Sequence, residues 1–425
     1  MRGVHYINGE AYFDAVPLSK IAEKYGTPCY VYSRAILEKN YLEYETALKS
    51  AKTKTSPLIC YAVKANSNLA ILNLLAHLGS GFDIVSGGEL ERVLAADGDP
   101  QKIIFSGVGK QTAEIKAALE ANIYCFNVES ESELENIQTI AATLNKPARI
   151  ALRVNPDIDA FTHPYIATGM KDNKFGIELK SIKALRQKIK KMSHIQLIGL
   201  ACHIGSQLTQ LEPFIEVLRC LEKLYREFSA DNFTLKLINV GGGLGVRYRN
   251  EHPPSRQEYV SMLQNIFSTY PVKLVLEPGR SIVADAGILL TRIEYLKETQ
   301  EKNFAITDAG MNDLMRPALY HAWHDIIPLR QRSGEAKTYD IAGPLCESAD
   351  FLGRDRHLRL AVGDYLGILM AGAYGFSMSS HYNSRPRPPE ILIDGKKNQL
   401  IRRREKIKEL FALEKIPDKV ILDPS

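Results

Sequence analysis

The chain has 425 residues, which is more than one hydrophobic core of ordinary size accommodates, so its length predicts two domains. Hydrophobic residues make up 45% of the chain and charged residues 24%, and the formal net charge of +5 comes from 54 basic and 49 acidic residues spread along it. This balance is typical of a globular protein and argues against a nucleic-acid-binding surface, and the sequence has no apolar run of membrane-spanning length.

The cysteines and the N-terminal sequence predict a cytoplasmic protein. The six cysteines form no C-x-x-C pair, and Cys60, Cys125 and Cys202 lie in apolar runs, where a free thiol behaves as a small hydrophobic group. We therefore expect neither a disulfide framework nor a metal site. The first residues, MRGVHYINGEAYFD, lack the apolar segment of a secretory signal, which also favours the cytoplasm.

Between residues 58 and 280, short apolar runs alternate with segments of helical period. Eight runs rich in β-branched residues are predicted strands: LICYAV (58–63), GFDIVS (81–86), KIIFSG (102–107), IYCFNV (123–128), RIALRV (149–154), LIGLACHIG (197–205), LKLINVGGG (235–243) and KLVLEPG (273–279). Helices are predicted between them, and S-x-x-E capping boxes at Ser86 and Ser130 mark two helix starts. Eight such units in about 220 residues predict an α/β fold of the (β/α)8 TIM-barrel type. A doubly wound open sheet is the alternative.

After residue 285 the pattern changes to strands separated by turns. GILLTRIEYLKE, FAITDAG, TYDIAGPLC and LRLAVGDYLGILMAG predict an all-β domain, a barrel or a sandwich, and the strand-like VHYING and PCYVYS near the N-terminus are expected to complete it. The predicted domains are therefore the barrel at 34–280 and a β-domain formed by 1–33 and 281–425. The basic run RRREKIK (402–408) is predicted to be the solvated face of a terminal helix.

The polar residues and glycines within, at or just after the ends of the apolar runs form the candidate site, because the chemistry of such barrels lies at the carboxyl ends of the strands. These residues are Lys64, Asp83, Glu89, Arg153, Asn155, His203, Gly205, Ser206, Gly241 to Gly245 and Glu277 to Arg280. Loops after the seventh and eighth strands commonly bind phosphate, and glycines let backbone N–H groups approach an anion. The glycine run therefore predicts a phosphate site. A tight turn is the alternative, and Val246 stands where a dinucleotide-binding motif would have its third glycine.

Lys64 directly follows the first predicted strand. Burying an ammonium there is costly in free energy, which favours a functional role for this lysine. A lysine near a phosphate site suits a Schiff base with the aldehyde of pyridoxal 5′-phosphate (PLP), and Glu277 is placed to pair with its pyridinium nitrogen. The alternatives are a solvated lysine, an ion pair between Glu277 and Arg153, and a structural role for His203 instead of stacking on the ring. Asp83 also has an alternative interpretation as a cap or turn residue.

Nine motifs distributed over the whole chain carry a family resemblance. In order they are YAVKANSN, FDIVSGGELERV, HPYIATGMKDNKFGI, CHIGSQ, GGGLG, EPGRSIV, MNDLMRPALYHAWH, GPLCESAD and GAYGFSMSSHYNSRPRPPEIL. Together they resemble the diaminopimelate decarboxylases, which have the alanine-racemase-like fold that ornithine and arginine decarboxylases share. The resemblance implies a PLP enzyme that converts meso-2,6-diaminopimelate to L-lysine and CO2, the last step of lysine biosynthesis.

The resemblance also implies roles for individual residues. The cofactor would be held by Lys64, Asp83, His203, Ser206, Gly241, Gly242, Gly243, Glu277, Pro278, Gly279, Arg280 and Tyr374. Lys64 would form the Schiff base, His203 would stack on the ring and Glu277 would bind the ring nitrogen. The substrate would be contacted by Arg280, Arg316, Tyr320, Glu347 and Tyr374. Cys346 would donate the proton, reaching with Glu347 from the partner subunit of a homodimer that shares its active sites.

Three other functions stay open beside this one. Another basic amino-acid or polyamine-precursor decarboxylase is the first, but arginines suit the second carboxylate of diaminopimelate, which ornithine lacks. An amino-acid racemase would need acid and base groups on both faces of the α-carbon. A non-catalytic PLP-binding carrier would resemble the barrel alone, without the β-domain motifs.

Overall fold

The computed structural model describes residues 3–49, 55–158 and 173–417. The chain begins with a small antiparallel sheet, a short helix, a buried strand and a longer helix. These elements are β1 (Val4–Ile7), β2 (Glu10–Phe13), β3 (Val16–Pro17), α1 (Leu18–Tyr25), β4 (Cys29–Ser33) and α2 (Arg34–Lys49).

The next part of the chain alternates parallel strands with helices. The strands are β5 (Leu58–Ala62), β6 (Gly81–Ile84), β7 (Ile103–Phe105), β8 (Cys125–Val128), β9 (Ala148–Asn155), β10 (Ile177–Glu178), β11 (Ile195–Ala201), β12 (Leu237–Asn239) and β13 (Lys273–Leu276). The helices are α3 (Leu69–His77), α4 (Gly87–Ala95), α5 (Thr112–Glu120), α6 (Glu131–Thr143), α7 (Leu179–Ile189), α8 (Glu212–Ala230), α9 (Arg256–Phe267) and α10 (Arg280–Val283). Both predicted helix starts are confirmed, because Ser86 and Ser130 cap α4 and α6 by accepting from backbone N–H groups.

Eight of these strands close into a parallel barrel. Strand β13 pairs with β5, with Val275 beside Leu58, and β8 pairs with β9, so each of the eight has two neighbours. The predicted (β/α)8 barrel is therefore confirmed, and the open-sheet alternative is wrong. Strand β10 adds a short pairing to β9, and α2 packs against α9 on the outside of the barrel.

The rest of the chain is mostly sheet. Its elements are β14 (Gly287–Glu298), β15 (Asn303–Thr307), α11 (Arg316–Tyr320), β16 (Ile326–Pro328), β17 (Lys337–Ala342), β18 (Phe351–Leu358), β19 (Tyr365–Ile368), β20 (Glu390–Asp394), β21 (Lys397–Arg402) and α12 (Ile407–Leu410). Strand β4 pairs antiparallel with β14 and parallel with β20, which places this N-terminal strand inside the C-terminal sheet. The prediction of a second, mostly β region is confirmed.

The basic run at 402–408 does not form one helix face, so this prediction is wrong. Arg402 ends β21, and its Nε donates a hydrogen bond to the carboxylate of Glu390 at 2.5 Å, while α12 begins only at Ile407. Because Glu390 is fully buried, Arg402 neutralises a charge that would otherwise be costly. The strand KNQLIR (397–402) thus includes the first arginine of the run.

Apolar side chains fill the inside of the barrel. Cys60, Ile104, Cys125, Ala151 and Leu237 come from five different strands and belong to one buried cluster, separate from the larger apolar core outside the strands. A filled interior makes the barrel a rigid support for the residues at its carboxyl end. None of the helices formed by the described residues is long and apolar enough to cross a membrane.

Candidate active site

The carboxyl ends of the barrel strands surround a cavity of about 410 Å³. Most of the predicted site residues line it, namely Lys64, Asp83, His203, Ser206, Gly242, Gly243, Glu277, Gly279, Arg280, Tyr320 and Tyr374. Gly241 and Pro278 lie directly behind this wall, beside Tyr44 and Tyr259. The residues meet here because all eight strands run in the same direction, so the segments that follow them share one face.

Lys64 lies in the turn that follows β5, and its Nζ lies 2.5 Å from Oδ2 of Asp83. Burial disfavours the ammonium, but the Asp83 carboxylate, together with Tyr374 and Glu277, outweighs burial and raises the pKa of Lys64 above its usual value. The other oxygen, Oδ1 of Asp83, is buried without a hydrogen-bond partner in the described part of the chain. Lys64 is thus a charged group of the cavity wall, held by a carboxylate that keeps one unused acceptor.

Glu277 follows β13 and is held by two amide groups. Its Oε1 accepts hydrogen bonds from Nδ2 of Asn239 at 2.6 Å and from Nδ2 of Asn127 at 3.2 Å. Burial, reinforced by the charge of Asp83, raises the pKa of Glu277 to about 7. The predicted alternative, an ion pair with Arg153, is wrong, because that guanidinium lies 2.6 Å from the carboxylate of a different residue, Glu129.

The glycine run after β12 forms a wall that no larger residue could form. A Cβ atom on Gly242 would lie 2.2 Å from the carbonyl oxygen of Glu277, and Gly241 and Gly243 have φ values of +67° and +115°. The N–H group of Gly241 donates to Oδ1 of Asn239 at 2.9 Å, which fixes the start of the run. The backbone therefore reaches the cavity directly, the arrangement expected of an anion cradle.

Arg280 and Tyr374 complete this side of the cavity. The guanidinium of Arg280 lines the same cavity as the glycine run, and its Nη2 donates a hydrogen bond to Oγ of Ser206 at 3.0 Å. Its Cζ lies 4.8 Å from the ring centroid of Tyr374, whose backbone N–H donates to the carbonyl of Ala65 at 2.8 Å. The loop that carries Tyr374 is in this way tied to the turn that carries Lys64.

His203 lies in the cavity wall after β11. Burial, followed by the charges of Arg153 and Lys64, lowers the pKa of its imidazole well below the usual value. The ring is therefore neutral at physiological pH, which suits a flat, uncharged surface for an aromatic ligand.

The predicted substrate residues divide into two groups. Tyr320 lines the cavity, and Arg316 lies behind it, 4% exposed, with its Cζ 4.4 Å from the ring centroid of Tyr248. Cys346 and Glu347, in contrast, are exposed and do not line the cavity of their own chain. The carboxylate of Glu347 accepts a hydrogen bond from the hydroxyl of Tyr382. Most of the predicted motif HPYIATGMKDNKFGI lies outside the described residues.

Comparisons with known proteins agree with this geometry. The pyridoxal binding domain of the pyridoxal-dependent decarboxylases matches residues 36–284. The chain is 53% identical to the diaminopimelate decarboxylase of Pseudomonas aeruginosa over 411 residues, covering 97% of this chain and 98% of the relative. The Vibrio cholerae enzyme of the same name is also 53% identical, with 96% and 97% covered. The chain belongs to the diaminopimelate decarboxylase family.

Solved structures of the family have the same fold. The diaminopimelate decarboxylase of M. jannaschii is 41% identical, superposes with a TM-score of 0.93 and covers 98% of both chains. The enzyme from Helicobacter pylori, solved in complex with L-lysine, is 44% identical with a TM-score of 0.89, covering 93% of this chain and 99% of that one.

This family member also uses polar residues that the sequence argument missed. Asn127 and Asn239 hold Glu277 from the ends of β8 and β12, and Tyr248 contacts both Arg280 and Arg316. Both asparagines stand inside their apolar runs and each is followed by a valine, so neither is conspicuous as a residue at a strand end. A polar residue near the carboxyl end of a predicted strand is the sequence signal that would have identified both asparagines. No group of three His, Cys, Asp or Glu side chains among the described residues is arranged to hold a metal ion.

Proposed function

We propose that this chain catalyses the PLP-dependent decarboxylation of meso-2,6-diaminopimelate to L-lysine and CO2, the last step of lysine biosynthesis. One observation carries the proposal: one cavity at the carboxyl end of the barrel is lined by Lys64, Glu277, Gly242, Gly243 and Arg280. The identity of about half of all residues to curated diaminopimelate decarboxylases supports the choice of substrate.

The cavity fits PLP in its chemistry. The glycine wall (Gly241 to Gly243), Ser206 and Arg280 would bind the phosphate, and His203 would face the ring. Glu277 would hold the ring nitrogen, with Pro278, Gly279 and Tyr374 as the remaining neighbours, and Lys64 beside Asp83 is the amine for the aldehyde. When bound, PLP supplies the electron sink for the carbanion that the departing CO2 leaves at the α-carbon.

The substrate carries a reacting amino-carboxylate and a second one that must be recognised. Arg280 and Arg316 supply guanidinium groups for the retained carboxylate, because a guanidinium binds a carboxylate with two parallel hydrogen bonds. Tyr320 and Tyr374 line the space beside them. Neither arginine forms an ion pair with an acidic residue in the described ranges, which leaves both charges for a ligand.

The proton donor would come from a second copy of the chain. Cys346 and Glu347 are exposed and outside the cavity of their own chain, so in a two-fold dimer they are available to the partner's cavity. The Cys346 thiol would protonate the α-carbon after CO2 leaves, and Glu347 would bind the distal ammonium of the substrate.

The proposal includes the organisation of the chain. Residues 34–280 would form the PLP-binding domain, and residues 1–33 with 281–425 the domain that completes the site. The pairing of β4 with β14 and β20 supports this division. The protein would act in the cytoplasm on a small molecule, without a nucleic-acid or membrane partner.

Product analysis tests the function directly. Purified protein with PLP and meso-diaminopimelate should release CO2 and L-lysine in equal amounts, whereas L-ornithine and L-lysine should be poor substrates. The Lys64→Ala variant is the control for contaminating activity, because it lacks the amine that would hold the cofactor. Absence of L-lysine from the wild-type reaction, or comparable turnover of L-ornithine, would contradict the proposal.

A further inference from the structure

Four buried side chains form a continuous array behind the substrate side of the cavity. We call Arg280, Tyr248, Arg316 and His324 the arginine clamp; their exposed fractions are 6%, 6%, 4% and 0%. Nη1 of Arg280 donates to the hydroxyl of Tyr248 at 2.9 Å, and the Cζ of Arg316 lies 4.4 Å from the centroid of the same ring. Tyr248 therefore contacts both arginines, one through its hydroxyl and the other through its face.

The clamp holds two positive charges close together in a buried place. Within the described ranges neither Arg280 nor Arg316 has a carboxylate partner, and Nε of Arg316 is buried without any hydrogen bond. Two buried guanidiniums repel each other, so their spacing depends on the groups between them. Tyr248 occupies that position.

The chemistry of Tyr248 suits this task. Its ring face attracts a guanidinium, and its hydroxyl oxygen accepts from one. Burial alone would raise the pKa of the phenol, but the charges of Arg280 and Arg316, together with the Arg280 hydrogen bond, lower it below its usual value. Both arginines therefore interact electrostatically with the Tyr248 side chain.

His324 fixes the far side of the clamp. Its Nδ1 lies 2.8 Å from the carbonyl oxygen of Leu369, which can only accept, so Nδ1 carries the proton. Nε2 is then the acceptor for Nη1 of Arg316 at 2.8 Å. Burial, followed by the charge of Arg316, holds the pKa of His324 well below its usual value, so the ring adds no third positive charge. Arg316 is thus held between a neutral imidazole and an aromatic face.

We propose that Tyr248 is a positioning residue for substrate specificity, which holds Arg280 and Arg316 at the spacing that binds the retained carboxylate of the substrate. The inference rests on the proposed function, since it concerns the same cavity. It assigns to Tyr248 no contact with the reacting atoms. Its role is to keep the two guanidinium groups in place against their mutual repulsion, so that together they form one carboxylate-binding site.

The test compares two ligands that differ only in this carboxylate. L-lysine retains it, and cadaverine is the same diamine without it. Affinities of the PLP-loaded protein for both are measured by titrating the cofactor absorbance. Tyr248→Phe removes the hydroxyl that accepts from Arg280 and should weaken L-lysine binding about tenfold, the effect of one charge-assisted hydrogen bond. Tyr248→Leu also removes the aromatic ring that contacts Arg316 and should weaken L-lysine binding further. Cadaverine binding should stay within about twofold of wild type in both variants.

Two further measurements separate positioning from a general structural effect. Tyr41→Phe, which alters a buried tyrosine of α2 on the outside of the barrel, should leave both affinities unchanged. The KM for diaminopimelate should rise in Tyr248→Phe with a smaller change in kcat. Equal losses of L-lysine and cadaverine affinity, or no loss of either, would overturn the inference and leave the proposed function standing. A wild-type protein that binds cadaverine as tightly as L-lysine would instead overturn the proposed function, and this inference with it.

Discussion

Lys64 and Glu277 acquire different charge states from their surroundings within one cavity. Lys64 stays cationic because the Asp83 carboxylate lies beside it, whereas burial shifts the pKa of Glu277 to about 7 although two asparagine amides donate to it. The pKa of both groups is raised, and clusters of groups with perturbed pKa values are typical of catalytic sites. Lys64 and Glu277 could be selected from sequence because each directly follows an apolar run. Tyr248 could not, since its position depends on how a loop packs.

Removing Arg316 should change substrate choice at the scale of a single residue. Loss of a buried charge-assisted contact to the retained carboxylate costs about 2–5 kcal/mol, so Arg316→Ala should lower kcat/KM for diaminopimelate more than tenfold. Turnover of L-ornithine, which lacks this carboxylate, should fall much less. Arg186→Ala, a buried arginine paired with Asp231 outside the cavity, is the matched control. An unchanged ratio of diaminopimelate to ornithine turnover would contradict this recognition scheme.

Asp313 predicts a pH dependence of stability. Burial raises its pKa from 3.8 to about 7, although the N–H group of Gly310 donates to it. Below pH 3.8 the carboxyl is protonated in both the folded and the unfolded chain, so its ionisation costs the folded state nothing. As the pH rises from 3.8 toward about 7, the carboxyl ionises in the unfolded chain but not in the folded one, and the folded state loses stability. In Asp313→Asn that loss is absent, because the amide does not ionise.

The free energy of unfolding of wild type and Asp313→Asn should therefore diverge with pH. The variant should gain about 1–3 kcal/mol relative to wild type between about pH 5 and about pH 8. Denaturant unfolding followed by circular dichroism at both pH values measures the difference. A constant difference across this range would show that Asp313 does not ionise as described.

At the scale of elements, the segments that connect strands to helices determine the cavity. The apolar runs could be predicted because burial on both sides of a parallel strand leaves a continuous hydrophobic signature. The arginines at 402–408 were misplaced because a short polar edge strand, KNQLIR, carries no such signature. The glycine wall was recognised from its composition, but the contact that requires it, between Gly242 and the carbonyl of Glu277, exists only after β12 and β13 pair.

Gly242→Ala should test the glycine wall. The new Cβ would collide with the backbone carbonyl of Glu277, so we expect about 2–4 kcal/mol lower stability and weaker PLP binding. Gly88→Ala is the control, because its Cβ would meet only Oγ of Ser86 at 3.8 Å, near the start of α4. Thermal unfolding and equilibrium dialysis of PLP measure the two effects. Equal behaviour of the two variants would show that the wall can relax and is not a constraint.

At the scale of the whole molecule, the barrel and the mostly β region followed from the change of pattern near residue 285. The return of the N-terminal strand β4 into the C-terminal sheet was also expected, since PCYVYS is strand-like and precedes the barrel. The separation of Cys346 from Lys64 in the sequence does not predict that Cys346 lies outside the cavity of its own chain. In the proposed homodimer, this residue would reach the cavity of the partner subunit.

Mixing two inactive variants tests the shared site. Lys64→Ala and Cys346→Ala homodimers should each be nearly inactive, whereas mixed dimers contain one site with both changes and one with neither. Random pairing makes half of the dimers mixed, so activity should recover to roughly a quarter of wild type. Subunit exchange is confirmed by native mass spectrometry. No recovery would show that Cys346 serves its own chain and would leave the PLP assignment intact.

The central claim is that the cavity at the carboxyl end of the barrel binds PLP through Lys64. Borohydride reduction of the PLP-loaded protein, followed by peptide mapping with mass spectrometry, tests it most directly. The mapping should place one reduced pyridoxyl group per chain on the peptide that contains YAVKANSN, at Lys64, and none should form there in Lys64→Ala. A stoichiometric adduct on any other lysine, with Lys64 unmodified, would contradict the account.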